Sequence, residues 1–331
     1  MVSREQKASW AAEQIALAKL RVEEDCLDWS ISQEKHGFPG LSRVGGVDVS
    51  FFADGTYAIA AVVVLSFPSL KVIYERSAAF RLSVPYVPGF LAMREVPALS
   101  KLFQDVPADV VPQVVLVDGN GAFHPRQCGA ATHLGLSIGL PTIGVAKDVQ
   151  QVGQVNSSTA RRLATTLSHP GQWAPLCSVA ALLKTKGKCL VVSPGHRISL
   201  QTAVALASHL CHHNLPEPIR QADLRSRQAV RAWYAGVEFE YLVAPRLSHL
   251  EQMLEIMSRE TCHSPAECRS APKSRPKWVI KEQPRKYSEG DIASSTAAPS
   301  ETEEAQELQE NVSGASWTGL LFGWLCVCFT R

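Results

Sequence analysis

Apolar residues recur at helical spacing over residues 4–26, where Trp10, Leu17 and Leu20 share one side, and the chain then changes to a β rhythm. Three strands are predicted, in "RVGGVDVSFF", "YAIAAVVVLSF" and "KVIYERSAAFRL". The first two are joined by "ADGT", whose Asp54-Gly55 pair is a strong hairpin signal. A helix is predicted from about Gly89. After it, "QVVLVDGNG" places four consecutive apolar residues before Asp118, the pattern of a strand buried on both faces with the aspartate at its end. A small-residue helix over "CGAATHLGLSIG" leads to a short strand, "PTIGVAK", and "LCSVAALLKTKGKCLVVS" reads as a strand pair turning at Lys186-Gly187. Ser199 is a good N-cap for a helix over "LQTAVALASHLC", and a last helix over "QADLRSRQAVRAWYAG" stops near Gly236. No internal repeat is visible. Antiparallel strands followed by alternating helices and strands predict an α/β fold. Its mixed sheet is flanked by helices, with the first strand beside the one ending at Asp118.

Composition divides the chain. Hydrophobic residues make up 46% of its 331 residues, enough for a large core, but they thin out after Ser258. One domain is therefore expected over residues 1–258 and a low-complexity tail over 259–331. The net charge of +2 conceals a basic, proline-punctuated run at 269–286 and an acidic run at 301–310. Outside those runs the chain is near neutral, so a polyanion must be gripped by local chemistry rather than a global field. The basic run cannot bury enough apolar surface to fold; it suits added affinity for RNA, a protein partner, or a nuclear or nucleolar address. The odd cysteine count and a charged, amphipathic N-terminus lacking an apolar signal core point to a reducing, cytoplasmic setting. "GLLFGWLCVCF" is too short to span a bilayer, and Cys326 and Cys328 are weak lipid acceptors. Cys262, His263 and Cys268 lack a paired fourth ligand and make a poor zinc site.

The chemistry lies in the carboxylates. Asp48 and Asp118 both sit in strongly β-prone apolar segments, and paired strands lie about 4.8 Å apart, so pairing brings the two acids together. On a continuous helix Glu95 shares the face of Leu91, Leu99 and Leu102 and points at the sheet, although Pro97 interrupts the pattern. Two such charges about 4 Å apart repel by about 4 kcal/mol at an effective dielectric of 20. Protons or cations must neutralise them. Hard oxygen donors favour Mg²⁺, with Mn²⁺ able to substitute, and suit in-line displacement at phosphorus.

"GGVDVSF", "PYVPGFLAMRE", "VLVDGNGAFHPR" and "GVAK", in this order, resemble endonuclease V, and the stretch 43–228 looks like its vertebrate form. The resemblance implies an RNase H-like fold with a mixed five-stranded sheet: three antiparallel strands, then parallel additions. It implies Mg²⁺-dependent cleavage of the second phosphodiester bond 3′ to inosine, leaving a 3′-hydroxyl and a 5′-phosphate. Its vertebrate character implies single-stranded RNA, including transfer RNA and edited messages, as the substrate. Asp48, Glu95, Asp118 and Asp223 match the family's metal-binding acids. Lys147 would meet the scissile phosphate, and His124 would orient water or touch phosphate. Pro85, Tyr86, Val87 and Pro88 resemble a strand-separating wedge: two prolines fix the backbone around the ring, and stacking on it offsets a base-extrusion cost of a few kcal/mol. Gly119 and Gly121 would let backbone approach the bound base or sugar. A monomer is expected. Two other readings stay open: repair cleavage at deoxyinosine in DNA, and a module that binds inosine without cutting.

Overall fold

The computed structural model describes residues 2–32 and 37–242; the 259–331 segment, with its zinc and lipid candidates, lies outside them. Helix α1 (Arg4–Lys19) begins where Ser3 Oγ accepts the Gln6 N–H at 3.0 Å. It ends at Lys19 rather than near residue 26, because the following backbone pairs elsewhere. Arg197 N donates to Val22 O at 2.8 Å and Cys26 N to Arg197 O at 3.1 Å.

Strands β1 (Arg43–Phe51), β2 (Tyr57–Ser66) and β3 (Val72–Arg81) form the expected antiparallel meander, in which Asp48 stands opposite Ala61. Then come α2 (Leu91–Gln104), β4 (Val114–Asp118), α3 (Ala130–Ile138), β5 (Thr142–Ala146) and α4 (Ser157–Ala164). The described chain finishes with β6 (Trp173–Cys177), β7 (Ala180–Lys184), β8 (Cys189–His196), α5 (Leu200–Leu210), α6 (Glu217–Tyr234) and β9 (Tyr241–Leu242). Ser199 caps α5 as predicted, its Oγ accepting the Thr202 N–H at 3.3 Å.

Among the described residues one sheet has nine strands in the order β6-β7-β8-β5-β4-β1-β2-β3-β9, where five were expected. The inner five have the anticipated RNase H-like arrangement, with β4 parallel to both β1 and β5. The added strands arise at the flanks. β8 joins β5 antiparallel and carries the β7 and β6 hairpins outward, while β9 lies parallel to β3.

Strand β4 is buried on both faces, as its unbroken apolar run requires. Val114 and Leu116 pack in a layer with α5 and Ile219 of α6, whereas Val115 and Val117 pack with α2 and α3. Helix α2 runs through Pro97 without a break, so Glu95 lies on its buried side with Ala92, Leu99 and Leu102. The two helical layers thus meet the same strands from opposite sides, and the acids arrive from both.

Candidate active site

Asp48 and Asp118 share a face because of period-two geometry. Val44 pairs with Val114 and Gly46 with Leu116 in parallel register, so the next outward pair along that face carries the two aspartates. Helix α6 covers this face, and Gly46 permits it to come close: a Cβ there would stand 2.1 Å from Pro218 O. That proximity delivers the middle of α6 to Asp48. Ser226 Oγ donates to Asp48 Oδ2 at 2.6 Å, with the Ser50 hydroxyl 2.8 Å from Ser226 Oγ. Asp223 lies one helical turn earlier.

The electrostatics follow from this crowding. Asp48 is pushed up from 3.8 to about 6, first by burial and then by the negative charge of Asp118, with Asp223 adding to it. The Ser226 hydrogen bond and the Lys147 ammonium act in the opposite direction. Lys147 Nζ donates to Asp118 Oδ2 at 2.6 Å, and both side chains are largely buried. Arg227 Nε donates to Asp223 Oδ1 at 2.9 Å, an i,i+4 pair on α6. Asp48 therefore feels both other carboxylates, and each of the three gives one oxygen to a protein donor.

This donor set suits a hard divalent cation: it consists of oxygen atoms, is partly dehydrated, and holds more negative charge than the buried Asp48 tolerates. Among the described residues no three His, Cys, Asp or Glu side chains stand close enough to grip an ion, so the four-acid shell implied by the resemblance is not closed here. Lys147 and Arg227 supply the positive charge in this arrangement.

Glu95 lies in the other layer, buried on the sheet-facing side of α2, and is not among the charges that act on Asp48. Its neighbour Arg94, absent from the sequence reading, lies with Cζ 4.4 Å from the centroid of the Phe51 ring, at the end of β1. Burial holds the Arg94 guanidinium below its usual range, while Glu95 and Tyr86 pull it back, and Arg94 Nε is buried with no hydrogen-bond partner. The segment before α2 stands out from the body. Tyr86 is 65% exposed between exposed Pro85 and Pro88, with Val87 half-buried, and Phe51 below is 39% exposed.

Two expectations change in detail. The His124 ring is buried, and both its nitrogens are occupied: Nδ1 accepts the Arg126 N–H at 3.2 Å and Nε2 faces Gly89 O at 3.1 Å. Burial and the nearby Arg126 charge lower it to about 4. A neutral ring so fixed braces the loop before α2 rather than presenting a nitrogen to water or phosphate. Gly121 serves packing, since a Cβ there would meet Pro194 O of β8 at 2.2 Å, and its N–H donates to Ser193 Oγ at 2.8 Å. Gly119, at φ +136°, ends β4 with its N–H on Val145 O at 3.0 Å. The left-handed backbone of Gly119 and the close packing of Gly121 fix where Asp118 ends the strand.

Known proteins give the arrangement its context. Residues 25–224 match the family model for endonuclease V. The mouse (Mus musculus) endonuclease V is 46% identical over 235 residues, which cover 67% of this chain and 69% of the mouse protein. The crystal structure of the catalytic domain of human endonuclease V superposes with a TM-score of 0.66 at 41% identity, covering 71% of this chain and 99% of that one. Endonuclease V of Ciona intestinalis, solved with a 23-mer DNA containing an inosine followed by a ribo-adenosine, gives a TM-score of 0.61 at 32% identity. It covers 70% of this chain and 100% of that one. The chain belongs to the endonuclease V family.

Proposed function

We propose that this protein is a divalent-metal-dependent endonuclease that hydrolyses the second phosphodiester bond 3′ to inosine in single-stranded RNA, leaving 3′-hydroxyl and 5′-phosphate ends. One observation carries the reading: three distant segments bring Asp48, Asp118 and Asp223 together, with Asp48 bound to Ser226 of the helix that carries Asp223, and Asp48 is raised to about 6 first by burial and then by the charges of Asp118 and Asp223. Asp118 and Asp223 are each matched by one cationic side chain, Lys147 and Arg227, whereas the buried Asp48 is held by a hydroxyl, and a bound cation best explains why the three are grouped. Asp48, Glu95, Asp118 and Asp223 would hold Mg²⁺, which when bound supplies Lewis-acid activation of water and of a phosphate oxygen.

The chain's own groups do the rest. Ser226, backed by Ser50, fixes one oxygen of Asp48 and so sets the direction of the other. The Lys147 ammonium, just past β5 and paired with Asp118, would meet charge growing on the scissile phosphate. Tyr86 would stack where the inosine base leaves its neighbours, and Arg94, which feels the charges of Glu95 and Tyr86 and lies over Phe51, would offer a cation to the nearby backbone. Hydrolysis joins the water oxygen to phosphorus and breaks the P–O3′ bond.

The ribose preference rests on chemistry at a defined nucleotide. The bond that breaks lies after the nucleotide following inosine, and that nucleotide is the ribo-adenosine in the Ciona complex. Its 2′-hydroxyl adjoins the leaving 3′-oxygen, where a hydrogen bond would distinguish RNA from DNA. Because the rest of that ligand is DNA, cleavage at deoxyinosine is the second reading. Oligonucleotides of one sequence, with inosine or deoxyinosine and with a ribose or deoxyribose at the next position, separate the two. Faster cutting in proportion to the ribose supports the first reading, and equal rates on all-DNA support the second.

A further inference from the structure

Helix α1 lies outside the 25–224 span of the family match, yet it reaches the base of the wedge. The carbonyl of Gly89 joins the Pro85–Pro88 segment to α2, at a backbone φ of +79°. Three donors converge on it: Gln14 Nε2 at 3.2 Å, His124 Nε2 at 3.1 Å and Arg126 Nη2 at 2.6 Å. Gln14 is buried, and its whole amide is used in this junction. Nε2 also donates to Cys128 O at 3.1 Å, and Oε1 accepts from Arg126 Nε at 2.6 Å. Arg126 in turn lies 4.2 Å over the Phe90 ring, the residue that caps α2, and Trp10 of α1 packs 5.6 Å from the same ring.

A helix needing only to cover the core would place an apolar side chain at this buried position; a buried amide is tolerated when every polar atom is matched. Here the matches all belong to the two loops that flank the candidate site. The 124–128 loop is further held by Arg21 Nη1, which donates to Gln127 O at 3.2 Å, and by Leu17 packed on Cys128. We infer that Gln14 is a positioning residue for the wedge: through Gly89 and Arg126 it sets the height and direction at which Tyr86 meets the substrate. This rests on the wedge reading given under Proposed function. Gln14 shares the Gly89 carbonyl with His124 and Arg126 and is bonded to Arg126 itself, so its amide ties α1 to both loops at once.

The test uses the full-length chain with Gln14→Met, which keeps the length of the side chain and removes its polar atoms. The expected result on single-inosine RNA is a KM raised about tenfold with kcat within twofold, as loss of buried hydrogen bonds at a binding element implies. In an Asp48→Asn background, a 2-aminopurine placed beside the inosine should lose more than half of its unstacking signal. If Gln14→Met instead lowers kcat and the melting temperature together while KM and fluorescence hold, Gln14 is a packing residue and the inference is overturned. Tyr86→Ala is run in parallel. If it changes KM and fluorescence while Gln14→Met changes neither, the wedge stands and the inference falls; if Tyr86→Ala changes neither, the wedge reading itself fails. Should Gln14→Met not fold, Trp10→Leu, which loosens the same junction from the half-buried side of α1, is judged by the same two readouts.

Discussion

Replacing Asp48 by asparagine should stabilise the metal-free protein near pH 8 while abolishing cleavage. The buried carboxylate prefers its proton, being pushed from 3.8 to about 6 by burial and by Asp118 and Asp223. Below about pH 3.8 folded and unfolded chains both carry that proton, and the site imposes no penalty. Between 3.8 and 6 the unfolded chain releases it while the folded chain retains it, so stability falls as pH rises; above 6 the full cost is present. A shift of this size corresponds to about 3 kcal/mol. An amide that leaves one donor poorly matched gives back about 1 kcal/mol, for a net gain of about 2 kcal/mol. For a domain of this size that is a rise of roughly 4–8 °C in melting temperature. Thermal melts in EDTA at pH 5 and pH 8 read it directly: Asp48→Asn should exceed wild type at pH 8, with the gap narrowing at pH 5. Adding Mg²⁺ should then raise the wild type and leave the variant unmoved. An Asp48→Asn protein that is less stable than wild type by the same amount at both pH values would refute the crowding argument.

Three further outcomes follow from the geometry. Gly46→Ala places a methyl group 2.1 Å from Pro218 O, so α6 must lift from β1; the expected loss is about 3 kcal/mol in a urea melt, and cleavage should fall further than the unfolded fraction explains, because Asp223 and Ser226 leave Asp48. Tyr86→Ala removes a ring that is 65% exposed, so its melting temperature should stay within a few degrees while kcat/KM on inosine RNA drops roughly 5- to 150-fold, the span of a 1 to 3 kcal/mol stacking contribution; a large fall in melting temperature would assign the ring to the core. Lys147→Met withdraws a charge that lowers Asp48, and the acidic limb of the pH–rate profile should move to higher pH along with a lower plateau; an unmoved limb would separate Lys147 from the aspartates.

Much of this site is legible in sequence because its first members lie on strands. Alternation in "GGVDVSFF" and the apolar run before Asp118 fix which face each acid occupies, and parallel pairing then brings them together. Glu95 could be assigned to the buried side of α2 from its spacing to Leu99 and Leu102, and the helix tolerates Pro97. The partners of those acids were not legible. Ser226 and Arg227 acquire meaning only once α6 is seated on Gly46, a contact between residues far apart in the chain. Arg94 and Gln14 look like ordinary helix-surface residues until the wedge loop is folded over them. Of the outer strands, β7 and β8 were legible as the pair turning at Lys186-Gly187, whereas β6 and β9 were not. Strand β6 contains Pro175 and little alternation, and β9 is two residues long, so neither carries a local signal and each exists because a neighbouring edge pairs with it. Helix α4 is short and mostly polar, announced only by Asn156, whose Oδ1 accepts the Thr159 N–H at 3.0 Å. His124 misled because a histidine beside a catalytic motif suggests chemistry, whereas its burial and both nitrogen contacts give it a bracing task.

The central claim is that acids from separate segments jointly hold divalent ions and cut nucleic acid near inosine. Its most direct test is a Mg²⁺ titration of cleavage on end-labelled single-stranded RNA bearing one inosine, comparing wild type with Asp48→Ala and mapping the cut to a single nucleotide. The expected result is Mg²⁺-dependent product from wild type only, ending at the second phosphodiester 3′ to the inosine, with none when adenosine replaces it. Identical product from Asp48→Ala, or wild-type cleavage that persists in EDTA, would contradict it.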